Sequence, residues 1–480
     1  MVRRRIKYGI IAWLSLASCK HQPLAPYTGY PDHISKIIAS KCATSGCHNA
    51  TSYAAAADLN LTTWEDMFEG ANSGSVVIPY RPDFSPLCYF TNIDSTLGIA
   101  LEPTMPLDQQ PLGKKEYLVL KNWIADGAPD KSGYIKFSDD VARRKYYVTN
   151  GLCDVVTVFD AESYLQMRYV DVGIKQDIEF PLAVQVSPDS KHWYTGFFSM
   201  SDVIQKFDAA TDKLVGNINI GAGLWHSFAI TKDSRYGFFV DNSSNGRVAY
   251  VDLVEMKLLA MYDLKGKYPA GIAIDENQKK LYVGSSAGNF IYCIDIGDPI
   301  KPFIKQKPVD GSGNVAEESN TGTISLLTDG VSKCFIACER SGEIRVLDMN
   351  TNAITSVFTL GTNPAFMSYS PAAKKLFVSC PDDRSFPGNR GAVVVFDIVT
   401  NTIVKKIKTG YQPYGVAVDD EHGVVVVVNA NISSEGPASH HTSGCGQKNG
   451  NVTFIDLKTL DLVPKIKREV AVFPFGVAVR

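Results

Sequence analysis

The chain has 480 residues, 45% of them apolar and 20% charged, a balance ordinary for a folded protein and unlike that of a disordered one. A formal net charge of -2 gives no electrostatic footing for binding nucleic acid or an anionic membrane surface. The length exceeds one ordinary domain unless that domain is a closed repeat architecture.

The first segment, "MVRRRIKYGIIAWLSLASC", opens with Arg3, Arg4, Arg5 and Lys7 and runs into a short apolar stretch from Tyr8 to Ala17. That stretch is too short to cross a bilayer as a helix and fits the apolar region of a secretory signal. Leu16-Ala17-Ser18-Cys19 resembles the lipobox of bacterial lipoproteins. The resemblance implies a signal peptide over residues 1–19 with a lipidated Cys19; the alternative is an ordinary secreted protein with a chance cysteine. Residues 20–30 then read as a Pro-containing tether. No acidic run follows Cys19, so the expected location is the bacterial cell envelope, lipid-anchored in the outer membrane and facing the periplasm. In that oxidising compartment disulfides form and haem can be attached to the other nine cysteines.

Residues 31–130 carry helical patterns. "PDHISKIIASKC" puts Ile34, Ile37 and Ile38 on one face, with Asp32 as a cap; "TTWEDMFEG" is shorter. "KKEYLVLKNWIADGAP" predicts a helix over Lys114 to Gly127, with Tyr117, Leu118, Leu120, Trp123 and Ile124 available for a core. Such a thin helical core benefits from a staple. After the first pattern comes "KCATSGCH", with Cys42 and Cys47 separated by four residues and His48 directly after the second. Three chemistries fit these residue types: thioether attachment of haem, a Cys42–Cys47 disulfide, or zinc. Zinc is the poorest fit, because His33 is the only further candidate ligand. Thioether attachment needs two thiols near the haem vinyl groups and a His placed under the iron, and Gly46 helps the larger loop to fold. A sixth ligand is available as Met105 in "EPTMPL", with Met67 as a rival inside a helical pattern. His/Met ligation suits electron transfer rather than oxygen activation.

The order "CATSGCH", "SPLCYF", "TMPLDQQPL", "LKNWIADGAP" resembles the small c-type cytochrome domains of bacterial envelope proteins. What the resemblance implies is an all-α domain over residues 31–130 with one covalent haem c on Cys42 and Cys47 and with His48 and Met105 as axial ligands. The departure is the four-residue gap between the cysteines, where two is usual.

From residue 140 to 480 the chain repeats. Phe159-Asp160, Phe207-Asp208, Val251-Asp252, Ile294-Asp295, Leu347-Asp348, Phe396-Asp397 and Ile455-Asp456 each end a β-rich run, 43 to 59 residues apart. Four short strands per unit predict a seven-bladed β-propeller. The first unit opens at its second strand, "KYYVTN", while "FPFGVAVR" at the C-terminus has the inner-strand pattern of "YQPYGVAV". The C-terminal strand is therefore expected to close the ring, which removes its open edges. "YYVTNG" and the strand ends in "VFD" resemble the YVTN family of bacterial propellers.

Several residues fall on loops of one predicted face. His226 enters the inner strand of blade three, and a long insertion in blade seven, residues 430–450, carries His440, His441 and Cys445. These three histidines are the candidates for a metal or catalytic site at the channel mouth, against the alternative of ordinary loop residues. Cys445 is expected to bridge Cys153 or Cys380, with Cys153 preferred because ring closure makes blades one and seven neighbours. Cys334 and Cys338, four apart on one strand, cannot bridge one another and are expected as buried thiols. The expected function is one-electron transfer by haem c, with the propeller as a docking platform for a redox or envelope protein partner. The alternatives are a periplasmic oxidoreductase with its substrate at the propeller mouth, and a haem-free binding or scaffold lipoprotein.

Overall fold

The computed structural model describes residues 29–480; the predicted signal, Cys19 and most of the tether lie outside them. The chain is mainly β. Twenty-eight strands form seven four-stranded antiparallel sheets, the blades of a propeller. Blade one is completed by the last strand, Pro474–Val479, which pairs with Lys145–Asn150. Residues from both ends of the propeller sequence thus share one sheet, and every blade has its four strands.

The repeated Asp ends the third strand of each blade, and the structure shows why the turn to the outermost strand needs it. Oδ1 of Asp397 accepts the backbone N–H groups of Val399 and Thr400, both at 2.9 Å. Asp252, Asp348 and Asp456 each make the same pair of bonds two and three residues ahead. A short carboxylate that satisfies two turn amides is the reason this residue recurs at this position. Alternating residues of the second and third strands fill the spaces between blades, as with Trp193 stacked on Phe207 at 3.8 Å between centroids. The second strands are almost wholly buried, which is why they read as near-continuous apolar runs such as Val424–Asn429, "VVVVVN".

Six of the seven inner strands carry a register shift near their start. Such bulges bend a strand and re-aim its side chains. Here they bring neighbouring backbones together over glycine. A Cβ on Gly476 would lie 2.3 Å from the Leu182 carbonyl, and one on Gly415 would lie 2.4 Å from that of Phe475.

Residues 29–138 form short helices and loops. They are α1 (Asp32–Ile37), continued by a π turn (Ile38–Cys42), α2 (Trp64–Met67), α3 (Pro86–Thr91) and α4 (Lys114–Ala125). Only α4 exceeds two turns, so the expected all-α domain is in fact a set of short helices joined by long ordered loops. Ile34, Ile38, Leu61, Trp64, Leu120, Trp123 and Ile124 make its core. Leu118, expected in that core, lies half-buried on the flank of α4. Trp64 and Trp123 donate their indole N–H groups to the carbonyls of Ala128 and Pro129, each at 2.9 Å, and so pin the exit of α4.

This region sits on the seam between blades one and seven. Arg81 donates to the Tyr169 carbonyl at 2.7 Å and pairs with Asp171 at 3.0 Å. Phe84 stacks on Tyr169. From blade seven, Arg468 reaches the Ala71 carbonyl at 3.0 Å, and the Glu469 N–H donates to Ser73.

Candidate functional site

The Cys42–His48 loop is closed by its own backbone. The Cys47 N–H donates to the Thr44 carbonyl at 3.0 Å and the His48 N–H to that of Cys42 at 3.2 Å. Gly46 takes a φ of +80° at the tip, a conformation that suits glycine. Asn49 and Ser52 brace the loop from outside, through bonds to the carbonyls of Thr44 and Cys47. Cys42 and Cys47 are free thiols, Cys42 buried and Cys47 half-buried. They form no disulfide with one another. Burial pushes the Cys42 thiol up to about 12, so it stays protonated at neutral pH.

His48 is oriented by its neighbours. Its Nδ1 lies 3.1 Å from the Leu59 carbonyl, an acceptor, so Nδ1 carries the proton and Nε2 keeps its lone pair. Desolvation by burial lowers its pKa, which holds the imidazole neutral, the form that binds a metal. In the loop between the thiols, Thr44 Oγ1 is buried with no hydrogen-bond partner among the described residues.

Met105 comes from a different element. Its N–H donates to the Phe90 carbonyl at 2.6 Å, and the Leu101 N–H donates to the Tyr89 carbonyl at 3.0 Å. The loop that carries Met105 therefore hangs from the end of α3. α4 packs against both α1 and α3 and is the shared support of the two candidate-ligand loops. Met67 is packed in the core, 1% exposed.

The three histidines do not form one site, which corrects the grouping expected from the sequence. His226 is the bulge residue of the blade-three inner strand, Trp225–Ile230. It lines a channel cavity of about 250 Å³ with Gln185, Ile272, Leu326, Met367 and Val477. Burial lowers its pKa to about 4, and its Nδ1 and the neighbouring Ser227 Oγ have no hydrogen-bond partner among the described residues. His440 and His441 are elsewhere, against α3: their rings lie 6.1 Å from Phe90 and 6.0 Å from Tyr89. They are drawn there by Glu469, whose carboxylate accepts both of their backbone N–H groups, at 2.9 and 3.1 Å. Among the described residues no group of three His, Cys, Asp or Glu side chains is placed to hold a metal ion.

Cys153 and Cys445 are joined by a disulfide, Cα–Cα 5.4 Å, across 292 residues. Cys380, the other candidate partner, is a free buried thiol in blade six, as are Cys334 and Cys338 in blade five. The disulfide lines a cleft of about 630 Å³ between the helical region and the propeller, with Cys88, Tyr89, Tyr117, Asp154 and Lys175. Glu469 belongs to no sequence motif, and Tyr89 and Phe90 close the stretch "SPLCYF" with nothing there to show what they touch; only contacts across the seam give the three their meaning.

No family model matches the chain, and no curated protein matches it in sequence. Among solved structures, a chain from the Kuenenia stuttgartiensis hydrazine synthase is similar, with a TM-score of 0.50 and 16% identity. The match covers 64% of this chain and 91% of that one. At that identity the likeness carries the fold alone. The seven four-stranded sheets and this neighbour together support a seven-bladed propeller.

Proposed function

We propose that this chain is an envelope-anchored haem c protein that transfers single electrons, with the YVTN-type propeller as a docking platform for a redox or envelope protein partner. The observation that carries the reading is the His48 arrangement: a neutral imidazole with its Nδ1 proton held by the Leu59 carbonyl, beside two unbonded thiols. A disulfide loop has no need of an oriented imidazole or of two free thiols. The donor set fits the group: Cys42 and Cys47 would hold it covalently, and His48 and Met105 would ligate its iron. Bound there, a haem would supply a one-electron couple. The chain's own part is to fix the His48 tautomer, to carry Met105 on a loop hung from α3, and to exclude water with the core around Ile38, Leu112 and Leu120.

The test is pyridine haemochrome absorption of the full-length protein, made in a host with haem-attachment machinery. One covalent haem per chain is expected, and Cys42→Ala with Cys47→Ala should remove it. An unmodified chain without haem absorption would leave the scaffold reading. Reduction of the haem by a small-molecule substrate that is lost in His226→Ala, while dithionite still reduces that variant, would favour the oxidoreductase reading.

A further inference from the structure

The blade-seven insertion is the largest departure from the propeller repeat, and the structure gives it a task. In the other six blades the loop between the second and third strands has 3 to 11 residues; in blade seven, residues 430–448, it has 19. Ordering the extra residues costs backbone entropy. The insertion is nonetheless fixed at two points. At one, Glu469 takes the N–H groups of His440 and His441 on its two carboxylate oxygens and the Asn449 side-chain amide at 3.1 Å. At the other, Cys445 is bonded to Cys153 of blade one.

Between these anchors the insertion faces α3 and the segment that follows it. The His440 and His441 rings stand against Phe90 and Tyr89. A methyl group on Gly444 would sit 3.7 Å from Ile99. Phe90 and Tyr89 are the two residues whose carbonyls hold Met105 and Leu101. Glu469 is therefore three contacts away from the Met105 backbone, although it is 364 positions away in the chain.

We propose that Glu469 is a positioning residue for Met105: by fixing the backbone of His440 and His441 it makes the blade-seven insertion a strap that holds the end of α3, and with it the Met105 loop, in place. The propeller then sets the geometry of the proposed axial ligand as well as offering a docking surface. This rests on the haem reading for its consequence, but the mechanical statement does not depend on haem.

The experiment uses the full chain and two variants. Glu469→Gln replaces one acceptor oxygen by an amide that faces a backbone N–H, and His440→Ala with His441→Ala removes the ring contacts while leaving both N–H bonds. If the unmodified protein carries haem, the readouts are the far-red methionine-to-iron absorption band and the midpoint potential, at unchanged haem content and far-ultraviolet dichroism. Both variants should lose half or more of the band and shift to lower potential. Wild-type band and potential in both, while Met105→Leu loses the band, would overturn the proposal. If the protein carries no haem, or Met105→Leu leaves the band intact, the haem or ligand reading fails separately. The strap is then read from Met105 oxidation by peroxide, followed by mass spectrometry, with the buried Met349 (2% exposed) as internal reference. Local opening of the strap should speed Met105 oxidation by about threefold or more. Equal rates in all three proteins would overturn it.

Discussion

Lys145 and Asp212 illustrate, at the scale of single residues, how the propeller tolerates charge in its interior. Both side chains are 1% exposed and lie 2.7 Å apart. Lys145 also donates to the carbonyls of Ala209 and Ala210, and the other Asp212 oxygen accepts the Tyr147 hydroxyl at 3.2 Å. Burial pulls the Lys145 pKa down although Asp212 pushes it up. Lys145→Met leaves Asp212 with Arg168, 3.3 Å away, as its remaining charged partner, so it should cost about 3 kcal/mol. Adding Asp212→Asn to the same chain, a residue that accepts the φ of +59° there, should return part of that loss. Denaturant midpoints measure both, and a single variant as stable as wild type would refute the argument. Asp419 makes the matching point about pH. Burial raises its pKa, but the paired guanidinium of Arg144 and the bonds from His422 and Tyr146 outweigh it and hold the carboxyl below its ordinary value. A depressed carboxylate stabilises the fold fully above its unfolded pKa, and that stability is lost as pH falls through the folded value. Melting temperature should therefore drop below about pH 4, and Asp419→Asn should flatten that part of the profile while lowering stability near neutrality. A variant with the wild-type acid slope would place the pH dependence elsewhere.

At the scale of elements, the inner strands decide how the blades meet. Their bulges bring a carbonyl of the next blade to where a side chain would stand, so Gly476→Ala and Gly415→Ala should each cost about 1–3 kcal/mol or more through overpacking. Gly446, with open space around its Cβ but a φ of +76°, should show a backbone effect without that steric cost. Thermal melts of the three variants separate the two causes, and Gly476→Ala melting with wild type would mean that the strands shift apart freely. The same elements show what could be read from sequence. The repeated Asp was legible because its turn is local, spanning only three residues. The closing strand was legible because it copies an inner-strand pattern. His226 was legible as an inner-strand residue but not as a channel-lining one, because the bulge that re-aims it leaves no mark in hydrophobic periodicity. The Cys42–His48 loop is likewise local, and Met105 could be picked from its place before Pro106. The site of His440 and His441 was not legible, since it depends on Glu469 and on two α3 aromatics hundreds of positions away.

At the scale of the whole molecule, the seam between blades one and seven carries the load of closure. Four independent contacts hold the closure. Pro474–Val479 pairs with Lys145–Asn150; Arg144 pairs with Asp419 at 2.8 Å; Cys153 is bonded to Cys445; and the helical region is tied to both blades through Arg81 and Arg468. The other six blades are each built from one continuous stretch of chain, whereas blade one joins strands from the two ends of the propeller. A ring closed this way should open first between Pro474–Val479 and Lys145–Asn150, because no chain connection joins those two strands. The disulfide restores such a connection across 292 residues, and a cross-link of that kind contributes about 2–5 kcal/mol, mainly by restricting the unfolded chain. Cys153→Ser with Cys445→Ser should lower stability by that amount. It should also raise amide exchange selectively in Lys145–Asn150 and Asn449–Asp456, leaving blades three to five at wild-type rates. Uniform acceleration in all seven blades would mean that the ring unfolds as one unit and that the seam is no weaker than any other junction.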